Sequence, residues 1–149
     1  MGDETSQAAL AIYPNHKTLS LATTGPAGLW LGSHYFAEAG EGRHDFFMTI
    51  TCGTHTHTNL SANPTAAYTI DGGNPFVAFL QGQAKLVPLT GQAKEDAKGI
   101  LSSKCPEVFG FWNALPPDGY TIFHLVPQRI FVTDIPNGWL PAREQALES

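Results

Sequence analysis

A succession of short strand-like segments, each bounded by a glycine or proline turn, limits the folds open to this chain. Residues 18–24 alternate apolar and hydroxyl side chains, which is typical of a half-buried strand. Gly25-Pro26 interrupts that strand, and Asp71 to Asn74 is a hairpin turn. The pattern predicts strands at 18–24, 29–37, 44–51, 65–70, 76–88, 120–126 and 129–133. Evenly sized strands with few helices indicate an antiparallel barrel or sandwich.

The helices predicted from the sequence are few. A short leading helix is expected at 5–13, another just after Thr54, and the most regular one at 92–103. The aromatic stretch around Phe109 to Trp112 has no clear assignment, and the C-terminal tail is expected to pack only near Trp139. Because long helices do not alternate with strands, a doubly wound parallel sheet is not expected.

The amino-acid composition limits the kinds of partner that this protein can bind. The 149 residues predict one domain, and only 14% of them are charged, against roughly 25% in a typical domain. Such a weakly charged surface suggests that a subunit interface covers part of it. The net charge of -5 argues against a nucleic-acid partner, and the longest apolar runs are too short to span a membrane. Cys52 and Cys105 are expected to be buried free thiols, and with no signal-peptide pattern the predicted compartment is the cytoplasm.

The segment from Phe46 to Pro64 carries the strongest functional signal. An apolar strand enters a polar turn, and a short helix is expected to begin next to Thr54. The first turn of a helix has unpaired N–H donors and a positive dipole end, which together favour an anion. The segment therefore predicts a site for a phosphate-bearing ligand.

His55 and His57 raise the question of a metal. On a strand both rings would lie on one face, whereas on a helix they would diverge by roughly 200°. A third ligand at a recognisable spacing is missing from the sequence, so no metal site is predicted.

Several segments in series resemble the pyridoxamine 5'-phosphate oxidase-like FMN-binding split barrels. LSLATTGPAGLWLGSHYF is similar to that family's opening hairpin, DFFMTIT to its third strand and THTHTNLSANP to its phosphate-binding helix. AFLQGQAKLV and YTIFHLVPQRIFVTD are similar to its later strands, so the resemblance covers residues 16–135. It implies a mainly β protein with a six-stranded antiparallel split barrel and a few short helices. It also implies a homodimer with FMN at the subunit interface.

The resemblance also implies which residues contact the cofactor. Thr54 falls on the phosphate-contacting serine, and Thr49 or Thr51 falls near a strand threonine. Gly32 and Ser33 would lie beside the flavin ring, while Gln81 and Trp139 would approach it from the partner subunit. The full set of implied cofactor-binding residues is Gly32, Ser33, Thr49, Thr51, Thr54, His55, Thr56, Asn59, Gln81 and Trp139.

The main departure from the family is at Thr56, where the family's phosphate-binding lysine falls. A hydroxyl supplies a hydrogen bond but no charge, so His55, His57, Lys17 or Arg129 would have to replace it. The expected function is a flavin-dependent oxidoreductase of unknown substrate, and not pyridoxamine-phosphate oxidase itself. Two alternatives remain open, a split barrel that binds haem or a deazaflavin and a non-enzymatic member that has lost its cofactor.

Overall fold

The structure is a computed structural model that describes residues 2–74 and 76–147. It contains seven strands, four helices and two single 3-10 turns, Tyr13–Asn15 and Ile135–Asn137. In chain order the elements are α1 (Gly2–Ile12), β1 (Thr18–Thr23), β2 (Trp30–Glu38), β3 (Phe46–Thr51), α2 (His55–Ala62), β4 (Thr65–Ile70), β5 (Phe79–Pro88), α3 (Gly91–Lys104), α4 (Val108–Ala114), β6 (Tyr120–Asp134) and β7 (Trp139–Ala146).

Six of the strands close into an antiparallel barrel. The hydrogen-bonded order is β3-β2-β1-β4-β5-β6, and pairing of β6 with β3 completes the circle. Strand β7 extends the sheet as an extra strand beside β6. The predicted fold class, mainly β with a six-stranded antiparallel barrel and a few short helices, is confirmed.

The barrel core follows the two-residue period of the strands. In β3 the side chains of Phe46, Met48 and Ile50 are fully buried inside the barrel, while the alternate residues 47, 49 and 51 face outward. A second apolar cluster lies on the outside, where α3 and α4 pack over β2, β3 and β6 with Leu101 and Val108 at its centre. The protein therefore has two apolar layers that share β3 as a common wall.

Two predictions near the C-terminus were wrong. Residues 120–134 form one strand rather than two, because Pro127 lies at the register shift opposite Gln83 and Ala84, where the ladder is already interrupted. The C-terminal tail does not pack only near Trp139, since Trp139–Ala146 pairs with β6 as β7. Within the residues that the structure describes, the helices are too short or too polar to cross a membrane.

Gly82 lies where two strands bring a glycine against an aromatic ring. A Cβ atom added to Gly82 would lie 2.3 Å from Cζ of Tyr68, whose buried ring crosses the barrel interior beside it. The pairing of Gly82 with Tyr68 across β4 and β5 therefore requires glycine.

We expect Gly82→Ala to lower the free energy of unfolding by about 1–3 kcal/mol, since the added methyl group overpacks the core. Gly99→Ala is the matched control, because Gly99 lies on α3 with open space around it. That control should raise stability by about 0.5–1 kcal/mol through helix propensity. Urea denaturation of the three proteins measures both effects, and a Gly82→Ala protein as stable as the wild type would contradict the packing account.

Candidate functional site

The site begins with a split between β2 and β3. Pairing between these strands covers only three residue pairs, from Phe36 with Met48 to Glu38 with Phe46. On its other side β2 pairs with β1 as far as Trp30. Residues 30–35 of β2 therefore have one backbone edge that faces the opening in the barrel wall instead of another strand.

Helix α2 lies across the inner side of this opening. Its residue Thr56 is buried against β2, because a Cβ atom on Gly32 would lie 3.4 Å from the Thr56 hydroxyl. The ring of His55 packs on Trp30 with the centroids 4.0 Å apart. The helix thus brings its first turn next to the free edge of β2.

The start of α2 confirms the helix predicted after Thr54. The Thr54 hydroxyl donates to the carbonyl of Thr51 at 2.8 Å and accepts from the N–H of His57 at 3.2 Å. This is the usual N-cap arrangement, and it engages the hydroxyl in holding the helix. The N–H groups of His55 and Thr56, in the first turn, have no acceptor within the helix and are the donors available to a ligand.

A cavity of about 360 Å³ lies where the free edge of β2, the end of β3 and the start of α2 meet. Hydroxyl groups line one side and apolar rings from the end of α4 line the other. The lining residues are Thr18, Ser33, His34, Tyr35, Thr49, Thr51, Thr54, Phe111 and Leu115. We call this cavity the split cleft.

Helix α4 forms a wall of the split cleft that the sequence did not predict. Phe111 packs edge-on against Tyr35 at a centroid distance of 6.1 Å. Trp112 donates from Nε1 to the Thr49 hydroxyl at 3.0 Å and stacks on Tyr120. The Thr49 hydroxyl is therefore already bonded, whereas nearby Thr51 stands at the mouth of the cleft. The sequence signal for this wall was the aromatic stretch 109–112, which had no assignment.

Asn59 connects α2 to the segment before β2 through hydrogen bonds of its side chain. It is fully buried, accepts from the N–H of Ala27 and donates to the Thr23 hydroxyl and the Gly28 carbonyl. These three bonds tie α2 to the turn that leads into β2. Asn59 therefore positions the free edge of β2 relative to the helix, whether or not it also contacts a ligand.

Four of the predicted residues line the split cleft of the same subunit, and six do not, namely Gly32, His55, Thr56, Asn59, Gln81 and Trp139. Gln81 is exposed on the outward face of β5. Trp139 begins β7 and carries the guanidinium of Arg143 over its ring at 4.0 Å. Both were assigned to the partner's cofactor, and that assignment stays a prediction.

The electrostatics of the split cleft differ from those of a lysine-bearing site. None of its described lining residues is a lysine or an arginine. Lys17 is paired with Glu107 at 3.1 Å and Arg129 with Glu144 at 2.9 Å, so these two candidate cations already have carboxylate partners. The positive potential of the cleft therefore comes mainly from the N-terminus of α2.

His34 is the histidine that lines the cleft. Burial lowers the pKa of its imidazole, and Nε2 is enclosed without a hydrogen-bond partner among the described residues. The ring is therefore neutral near pH 7 and keeps a nitrogen with no partner.

The histidine pair does not form a metal centre among the residues that the structure describes. His55 packs on Trp30, whereas Nε2 of His57 lies 2.8 Å from the Thr121 hydroxyl. In residues 2–74 and 76–147, no three His, Cys, Asp or Glu side chains come close enough to share an ion.

Comparison with known proteins gives matches only among solved structures. No protein-family model and no curated protein matches this chain. A heme binding protein from Mycobacterium smegmatis superposes with a TM-score of 0.77 at 15% identity, over 95% of this chain and 57% of that one. The chain thus spans little more than half of that protein's length.

Two other matches are comparable to this chain in length. HutZ, the heme storage protein from Vibrio cholerae, has a TM-score of 0.67 at 20% identity, covering 87% of this chain and 92% of that one. A Clostridium acetobutylicum protein related to general stress protein 26 of B. subtilis, of the pyridoxinephosphate oxidase family, has a TM-score of 0.73 at 13% identity. That match covers 99% of this chain and 97% of the other.

These likenesses identify the fold. The chain has the split barrel of pyridoxamine 5'-phosphate oxidase-like proteins, and the resemblance predicted from the sequence is confirmed at that level. Proteins described as heme-binding share the fold with proteins described as oxidases, so the fold alone does not select the ligand.

Acid should destabilise the protein through His34. Its pKa is lowered from 6.5 in the folded state, so the unfolded chain binds the proton more tightly. Stability should be highest above that pH and fall below it, by at most about 1.4 kcal/mol per pH unit. We expect His34→Gln to flatten the loss of unfolding free energy between about pH 7 and pH 5.

Denaturant titrations across that pH range measure the effect. The pKa of His44 is also lowered by burial, partly opposed by Asp45, so His44→Gln should remove a separate contribution of the same sign. A His34→Gln protein with the full acid sensitivity of the wild type would show that the pKa of His34 is the same in the folded and unfolded states.

Proposed function

We propose that this protein is an FMN-binding flavoprotein with its cofactor in the split cleft at a dimer interface. The observation that carries the proposal is the free backbone edge at residues 30–35 of β2 beside the first turn of α2. One strip of surface thus offers hydrogen-bonding groups for a flat polar ring and donors for a phosphate.

The residues that line the cleft, together with Gly32, His55 and Thr56 beside it, fit the parts of FMN. The N–H groups of His55 and Thr56 and the hydroxyl of Thr51 would hold the phosphate. The backbone of Gly32 and Ser33 would border the ring system, and Phe111 would pack on its apolar part. These groups bind and orient the cofactor and exclude water from one side of it.

The charge balance sets how tightly such a phosphate is held. A phosphate that is held by N–H and O–H donors without a cation loses the strongest kind of hydrogen bond. The positive end of the dipole of α2 is equivalent to about half of an elementary charge, so it replaces only part of the missing cation. We therefore propose weaker FMN binding than a lysine in place of Thr56 would give.

As an enzyme, the protein would be an oxidoreductase. Bound flavin supplies hydride and electron transfer, and the chain supplies position and electrostatics. Cys52 and Cys105 are both free, which fits the reducing conditions of the cytoplasm. The substrate is not assigned, because no acid-base pair within the split cleft selects one.

The dimer proposal rests on the outward face of β1, β4 and β5. Cross-strand partners there are small or neutral, with Ala22 opposite Ala67 and Ala67 opposite Gln83. In the next row of the sheet, Thr69 on β4 lies between Ser20 on β1 and Gln81 on β5. Lys85, opposite Thr65, is the charged residue at one end of this face. A sheet face of mainly small and neutral residues that joins the free edge of β2 through β1 is suited to a second copy of this chain. It would bring the partner's Gln81 toward the cleft.

Ala67→Arg should convert the dimer into a monomer, since it places a charge in the middle of the exposed sheet face. Gln92→Arg on the exposed surface of α3 adds the same charge elsewhere and should leave the dimer intact. Light scattering coupled to gel filtration gives the mass of each variant. A wild-type monomer, or a dimeric Ala67→Arg protein, would contradict the proposed interface.

Ser33→Phe should abolish flavin binding without unfolding the protein. Ser33 is exposed on the outward face of β2, so a phenyl ring fills the split cleft and leaves the core unchanged. Glu95→Phe, on the exposed face of α3, is the control for added apolar surface. Each protein is titrated with FMN and followed by quenching of flavin fluorescence, with circular dichroism as the check on folding.

Saturable quenching by the wild type and Glu95→Phe, but not by Ser33→Phe, is the expected result. If the wild type binds no FMN, the flavin proposal fails. Equal binding by all three proteins would place the flavin outside the split cleft.

Haem is the second candidate ligand, and one observation favours it. Nε2 of His34 is neutral, buried beside the cleft and unpartnered among the described residues, as an iron ligand would be before binding. Two of the similar structures are described as heme-binding or heme-storage proteins. A Soret band on addition of haem that His34→Gln removes would favour haem over FMN. Selective uptake of a deazaflavin would select that cofactor instead.

A further inference from the structure

Cys52 and His57 form a thiol-imidazole pair outside the split cleft. Cys52 Sγ lies 3.5 Å from Nε2 of His57, in the turn that joins β3 to α2. Cys52 is partly exposed, whereas Cys105 is fully buried behind α3 and α4. The two thiols of the protein therefore differ in both access and surroundings.

The surroundings of Cys52 favour a reactive thiol. His57 is the third residue of α2, so Sγ lies beside the positive end of that helix as well as the imidazole. The Thr121 hydroxyl is 3.7 Å from Sγ and 2.8 Å from Nε2 of His57, so it holds the ring in place beside the sulfur. The carbonyl of Asp118, at 3.5 Å, is the acceptor for the thiol proton when the thiol is neutral.

A second cavity is lined by His57 and Thr121, the two side chains that contact Cys52 Sγ. Its volume is about 320 Å³, and His57 and Thr121 line it together with the apolar side chains of Leu60, Leu86 and Phe123. A thiol next to a base and an apolar cavity can accept a small organic molecule beside the sulfur. This cavity and the split cleft have no lining residue in common.

We propose that Cys52 is a reactive thiol that forms mixed disulfides with small organic disulfides. His57 Nε2 takes the thiol proton, and the Cys52 thiolate attacks one sulfur of the disulfide R–S–S–R. The Cys52–S–S–R bond forms as the R–S–S–R bond breaks, and the leaving R–S⁻ takes the proton from the imidazolium. Cys52 is oxidised and the released sulfur is reduced, so electrons and protons balance.

The test measures the rate of reaction with an aromatic disulfide that releases a coloured thiolate, using the full chain in its folded state. The wild type should react once per chain, at Cys52, at least about tenfold faster than a free cysteine derivative at neutral pH. Cys105→Ser should react at the wild-type rate, and Cys52→Ser should not react. Intact mass before and after reaction locates the adduct.

His57→Gln separates the chemistry from simple exposure. Glutamine can still bond to the Thr121 hydroxyl, but it cannot take the thiol proton. We expect at least about a tenfold slower reaction near pH 7, with a smaller difference from the wild type at higher pH, because hydroxide can then take the thiol proton in place of the imidazole. Of the side chains that contact Sγ, His57 is the one with a titratable ring, since Thr121 offers a hydroxyl and Asp118 its backbone carbonyl.

Three results would overturn the proposal. They are a Cys52 that reacts no faster than the free cysteine derivative, adduct formation at Cys105, and a His57→Gln protein with the wild-type rate and pH profile. Circular dichroism of each variant shows that it is folded before its rate is compared. Flavin binding at the split cleft is measured separately, so neither result depends on the other.

Discussion

The interrupted pairing of β2 with β3 is the constraint on which the rest of the structure depends. If β2 and β3 were paired along their whole length, every backbone group of β2 would be hydrogen-bonded. Here the pairing with β3 stops at Phe36 and leaves residues 30–35 with a free edge. Helix α2 supports the opening from inside, and the buried side chain of Asn59 fixes the helix to the turn before β2. The barrel can stay open because a polar anchor, rather than a ladder of hydrogen bonds, holds this part of it.

The opening sets what the protein can bind. One wall is backbone and hydroxyl, the other is the aromatic end of α4, and the described lining contains no lysine or arginine. Such a cleft favours a flat ligand with hydrogen-bonding edges over one that depends on ion pairs. Lys17 and Arg129 are each paired with a carboxylate on the outer surface, so the charge lost at Thr56 is not restored from those positions.

Particular residues show how far sequence reasoning reached. The apolar strand that begins at Phe46 predicted β3, and the cap at Thr54 predicted where α2 begins, because both are local properties. Helix α4 and strand β7 were missed. Helix α4 has only seven residues, too few to show an amphipathic period. Residues 139–146 form a strand chiefly because the edge of β6 lies beside them. The role of Asn59 was also hidden, since its three partners lie more than 30 residues away.

The sequence by itself determined the strand and helix periods, the turn at Asp71 to Asn74 and the absence of a lysine at position 56. Each of these depends on a residue and its near neighbours. Only the tertiary structure decided where pairing of β2 and β3 ends, that the Thr49 hydroxyl is bonded by Trp112, and that Cys52 lies against His57 and Thr121. These contacts join residues distant in sequence, and their geometry follows from closing the barrel and packing α4 on it.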